Sequence, residues 1–187
     1  MTRSKVEKDL FGNVVTKSKP RLQAVLEKYD RETLQDRVNR LRFVNAFFPK
    51  GYWFGMSVEA ISLFDEAKMA FINGEHISTV LLSLSFAEHW LGSYLASKGY
   101  PRRSFSSLRA ITATLRKDEN VHEYLLSRLD ELRLLRNPFV HLKERDHPHN
   151  LERRIWLERK PPDQIMENDA KAALSLMYQI AISPNRK

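Results

Sequence analysis

Apolar residues recur every three or four positions through most of the chain, with cap and breaker residues between the runs. This spacing predicts an all-α protein: four to six core helices in a bundle, preceded by a helical extension. Pro20 is placed to open a short helix carrying Leu22, Val25 and Leu26, and Asp30 to cap a second carrying Leu34, Val38 and Leu41. Pro49-Lys50-Gly51 ends that run, and Tyr52-Trp53-Phe54 follows, either as a plug where helices cross or as a surface for stacking bases. Ser57 suits an N-cap, Ile61, Phe64, Ala67 and Phe71 share a face, and Asn73-Gly74 is a stop. From about Glu75 to Lys98 runs the most apolar helix, with Val80, Leu84, Leu91 and Leu95 widened by Phe86 and Trp90. Apolar on more than one side, it is predicted to lie at the centre.

Beyond Gly99 and Pro101, Ser104 reads as the cap of a helix that turns Leu108, Ile111, Thr112 and Leu115 inward. Asn120 to Glu123 reads as a capping box for a helix carrying Leu125, Leu126, Leu129, Leu132 and Leu135. Asn150 can cap a helix over 151–159 that packs Leu151, Ile155 and Trp156, although the alternation Arg153, Ile155, Leu157 also permits a strand. Pro161-Pro162-Asp163 turns the chain, and Asn168 is expected to cap a last helix with Ala172, Leu174, Met177 and Ile180. The expected division is a mobile basic tail over 1–19 (or an arm docking through Leu10-Phe11), a helical appendage over 20–56, and a helical domain over 57–187.

Charge narrows the class of function. Lys and Arg number 31 against 23 Asp and Glu, giving +8 and a pI near 9.8. That balance favours a polyanion such as nucleic acid. The chain has no Cys, which excludes disulfides, thiolate metal sites and Cys nucleophiles. No run reaches the length of a membrane span, and the N-terminus lacks the apolar core of a signal peptide. The expectation is a cytoplasmic protein with no membrane partner.

One stretch concentrates candidate chemistry: Arg136-Asn137-Pro138-Phe139-Val140-His141, at the end of an apolar helical run. Proline suits the first position of a helix, and Asn before it suits the N-cap. Asn137-Pro138 is therefore expected to break the helix and start another. Arg136 and His141 would then occupy the positions whose side chains meet across a helix start. A guanidinium, an imidazole and a positive helix end together would suit a phosphate. At this composition an Arg-x4-His spacing arises about 0.6 times by chance, but requiring Asn after the Arg lowers that to about 0.03. The pattern is specific enough to pursue.

These residues resemble the Arg-Asn-x3-His signature of HEPN domains, all-α modules found in many prokaryotic toxins and defence ribonucleases. The resemblance extends over roughly residues 57 to 182, where Asp169-Ala170-Lys171-Ala172-Ala173-Leu174 is similar to the start of the last helix in many such domains. It implies a metal-independent endoribonuclease acting as a homodimer, with both motifs lining one cleft. RNA, a second copy of the chain, and an antitoxin or other protein are the implied partners, and no cofactor is implied. Arg136, Asn137 and His141 are the implied catalytic residues. Some relatives are inactive binders, so a non-catalytic helical module that binds a protein or RNA is the alternative.

The chemistry of RNA cleavage fits these side chains. An imidazole titrates near neutral pH, so His141 suits an acid or base, while a guanidinium stays charged and forks, so Arg136 suits a phosphate clamp. Asn137 either holds the His or phosphate, or caps the helix. Glu88 and His89 in the central helix are candidates for orienting Arg136 or His141, or else form an exposed edge or a core hydrogen bond. Arg102, Arg103, Arg109, Lys143 and Arg145 are candidates for RNA phosphates, or form a solvated face. His147, His149 and Asp146 invite a metal reading, but Pro148 between the two His and the basic neighbourhood argue against it.

Overall fold

The computed structural model describes residues 21–47, 57–117 and 121–183, and these are helical with no strand among them. The elements in order are α1 (Arg21–Phe47), α2 (Val58–Asn73), α3 (His76–Ser97), α4 (Pro101–Ser104), α5 (Leu108–Leu115), α6 (Glu123–Val140), α7 (Leu151–Glu158) and α8 (Pro162–Ile182). None of these helices is long and apolar enough to cross a membrane. The expected tail over 1–19 and the Tyr52-Trp53-Phe54 cluster lie outside the described residues.

The chain divides into two units, Met1–Asn39 and Arg40–Lys187, with the division inside α1. In the first unit the helix passes through Asp30 without a break. The expected cap does not form, because the Asp30 carboxylate instead accepts from Arg37 Nη1 at 2.8 Å, two turns further on. Leu22, Val25, Leu26 and Tyr29 are all exposed.

In the second unit α3 is central, as its apolar breadth predicts. It packs against α2, α4, α5, α6 and α8. Leu84, Phe86, Leu91 and Leu95 are buried with Phe64 and Phe71 of α2, Ile111 and Leu115 of α5, Leu129 and Leu132 of α6, and Leu174 and Met177 of α8. Trp90 Nε1 donates to the Ile180 carbonyl at 3.1 Å, tying α3 to the end of α8. The last turns of α1 belong to this core. Val44 is buried, and the Phe43 ring lies 5.3 Å from Phe71.

Several helix boundaries follow local rules. Ser57 Oγ accepts from Ala60 N–H at 3.2 Å, the expected N-cap of α2. Gly74 ends α2 in the left-handed region (φ 84°), with Arg40 packed over it so that a Cβ would lie 2.9 Å from Nη1. Others differ from expectation. Ser104 ends the short α4, and Ser107 occupies the N-cap position of α5. The N-cap position of α6 is His122. The last helix starts at Pro162, six residues before Asn168, because proline at the first position costs no hydrogen bond.

Candidate functional site

The motif region takes its shape from α6. Leu125, Leu126, Leu129 and Leu132 bury one face of the helix, and Leu135 packs against the same core. The helix does not break at Asn137-Pro138. It runs through Pro138 to Val140, and His141 follows as the C-cap with extended backbone (φ −132°, ψ 129°). The backbone N–H of His141 donates to Asn137 O at 2.8 Å. Asn137 is therefore inside the last turn and is not an N-cap. The predicted helix start, with its positive end, is replaced by a helix end whose free carbonyls carry partial negative charge. Any phosphate held here must be held by side chains.

Arg136 and His141 differ sharply in environment. Arg136 through Phe139 are half-buried, whereas Val140, His141 and Leu142 are exposed. The Nε–H of Arg136 is buried without a hydrogen-bond partner. Two other arginines are paired: Arg116 Nη2 lies 2.8 Å and Arg133 Nε 3.3 Å from Asp130 carboxylate oxygens, and Arg116 Nε lies 3.1 Å from Glu123. Among the described residues no carboxylate forms an ion pair with Arg136. A buried donor left unmade costs about 1–3 kcal/mol, and the Arg136 Nε–H is open to an incoming acceptor.

The remaining candidates fall into two places. Glu88 and His89 line a groove of about 320 Å³ with Gly92, Ser93, Ala96, Phe105 and Ser106. The walls of that groove belong to α3 and the α4–α5 connection, not to the motif, and no hydrogen bond or ion pair links Glu88 or His89 to Arg136 or His141 among the described residues. Arg102 and Arg109 are exposed on the helices flanking Phe105 and Ser106. Arg103 belongs to α4, and its side chain lies outside the described set.

The loop after His141 carries the rest. Lys143 is half-buried, and Arg145 is exposed with Nη2 3.4 Å from Glu152. Asn150 sits at the N-cap position of α7 but turns its side chain back, Nδ2 donating to Glu144 O at 2.7 Å and closing the loop. His149 N–H donates to His147 Nδ1 at 3.3 Å, which occupies that lone pair. Burial, the neighbouring His147 and Arg154 hold the His149 imidazole below its usual range. No group of three or more His, Asp or Glu side chains converges as a metal-ligand set among the described residues.

Sequence reasoning missed the orientation of α7. Its helix forms rather than a strand, but Trp156 points outward and is 78% exposed. Arg154 takes the inward position: Nη1 and Nη2 lie 2.5 and 2.9 Å from the two Asp169 carboxylate oxygens of α8. The pairing, with hydrogen bonds from a guanidinium to both oxygens, holds the Arg154 guanidinium above its usual range. Trp156 thereby stands with Arg145, Asp146, Glu152 and Arg153 around a groove of about 580 Å³.

Compared with protein-family models, curated proteins and solved structures, the chain matches none.

Proposed function

We propose that the protein is a metal-independent endoribonuclease of HEPN type. The observation that carries this reading is the pair at the end of α6: a half-buried Arg136 with an unpaired Nε–H, and an exposed imidazole five residues later. RNA supplies its own nucleophile. His141 removes the 2′-OH proton in one copy of the chain, and the 2′-oxygen attacks phosphorus. The P–O5′ bond breaks, and the leaving 5′-oxygen takes a proton from the His141 of a second copy. Arg136 stabilises the charge that builds on the non-bridging oxygens. One motif supplies one imidazole, so a homodimer provides the base and the acid. The products are a 2′,3′-cyclic phosphate and a 5′-OH.

The basic composition supports a polyanionic substrate, with Arg102, Arg109, Lys143 and Arg145 as exposed or half-exposed cations. The same resemblance supports a toxin or defence role in the cytoplasm, with an antitoxin as the protein partner. A second reading, a non-catalytic module that binds another protein, is favoured by the exposed Leu22, Val25, Leu26 and Tyr29 of α1.

Incubating purified protein with a single-stranded RNA in excess chelator tests the proposal. Fragments ending in a 2′,3′-cyclic phosphate, from a protein that is dimeric at working concentration, are expected. Cleavage that requires a divalent ion would overturn the mechanism, and no cleavage under either condition would favour the binding module.

A further inference from the structure

The outward face of α7 carries a feature that Arg136 and His141 do not use. Trp156 is 78% exposed and makes no ring contact with another aromatic among the described residues. Leaving an indole in water costs the burial energy it would gain in a core, and α7 had an inward side available for it. That side is taken by Leu151, Arg154 and Ile155, with Arg154 fastened to Asp169. The clamp fixes which way the helix faces. Glu152 and Arg153 lie four and three residues before Trp156, so all three share the outward face. The Arg153 Nη1–H donates to Asp146 O at 2.7 Å, which ties that face to the loop that follows His141.

We infer that the groove formed by Trp156, Arg153, Glu152, Arg145 and Asp146 is a subsite for one unpaired nucleobase of a single-stranded nucleic acid, with Trp156 as its stacking surface. Two guanidiniums and two carboxylates leave the groove itself without net charge, which suits a base better than a free phosphate. Its volume of about 580 Å³ leaves room for a base and its sugar. An indole face stacks on any base, and each guanidinium keeps donors beyond its bond to Glu152 or to the Asp146 carbonyl for the flanking phosphates. The carboxylates accept from exocyclic amino groups, so cytosine fits the groove better than thymine or uracil. The groove begins four residues after His141 in sequence. This inference rests on the ribonuclease reading for its substrate, single-stranded RNA.

The test uses the full chain and a 12-residue oligodeoxycytidylate, which has no 2′-OH and cannot be cleaved by the proposed route. Titration should quench tryptophan fluorescence in the wild type. Trp156→Ala should lose that quench and bind about five-fold to a hundred-fold more weakly by an independent anisotropy measurement. Trp156→Phe should bind within a few-fold of wild type. Oligothymidylate should bind more weakly than oligodeoxycytidylate; equal binding would overturn the edge preference. Wild-type affinity in Trp156→Ala, or no binding by the wild type, would overturn the subsite and leave the exposed indole to a protein partner. Binding that depends on Trp156 without any cleavage of RNA would uphold the subsite and remove the nuclease.

Discussion

The His141 backbone N–H donates to the Asn137 carbonyl at 2.8 Å, so the two outer members of the Asn-x3-His pattern are joined by the last hydrogen bond of one continuous helix. Pro138 lies within that helix and cannot donate to the Leu134 carbonyl four residues back. A sequence rule that starts helices at Asn-Pro is overruled by the apolar face of α6, which packs Leu125, Leu129 and Leu132 into the core and carries the helix onward.

Replacing Pro138 by Ala should therefore stabilise the protein by about 1 kcal/mol, the gain of a helical hydrogen bond outweighing the freer unfolded chain. Urea denaturation reads this directly. A loss of stability would mean that the proline is a helix start after all.

Arg154 and Asp169, with side chains 13% and 12% exposed, form the pair that orients α7. Removing either partner leaves a nearly buried charge unpaired, and Arg154→Ala or Asp169→Ala should each cost about 3 kcal/mol. The double variant should cost clearly less than the two losses added together. Strict additivity in the same denaturation experiment would mean that the two side chains do not interact.

This pair also explains what could be read in advance and what could not. The single apolar face of α2 and the apolar breadth of α3 are recognisable from spacing, and so are the Ser57 cap and the Gly74 stop. Those signals are local. Asp30, Ser104 and Asn168 carried the right side chains for caps but did not become caps. Asp30 binds Arg37 instead, and Pro162 begins the last helix earlier. The direction of Trp156 depended on a contact between residues fifteen apart, which no periodicity in an eight-residue helix encodes. Spacing singled out Arg136, Asn137 and His141 as candidates, but not the sign of the helix end beside them, because the rule for Asn-Pro is a preference that packing can override.

His76 gives the stability a pH dependence. It is 9% exposed beside Phe71, and its Nδ1 has no hydrogen-bond partner. Burial first, then Arg40 and Lys171, hold the imidazole below its usual range, against the opposing pull of Glu167 and Asp163. The unfolded chain therefore takes up this proton first as pH falls. Stability is fully present above the free imidazole value of about 6.5 and is lost below it, down to the depressed folded value. Between about pH 7.5 and about pH 5.5 the Tm of the wild type should fall further than that of His76→Leu. Equal falls would assign the pH dependence to other groups.

The ribonuclease reading stands or falls on His141, an exposed residue whose replacement leaves the core untouched. The direct measurement is cleavage of a single-stranded RNA in excess chelator by wild type and by His141→Ala at matched concentration, with circular dichroism and melting recorded for both. The wild type should cleave, and the variant should lose at least about a hundred-fold in rate while its helix content and Tm stay the same. A His141→Ala protein that cleaves at the wild-type rate would contradict the account.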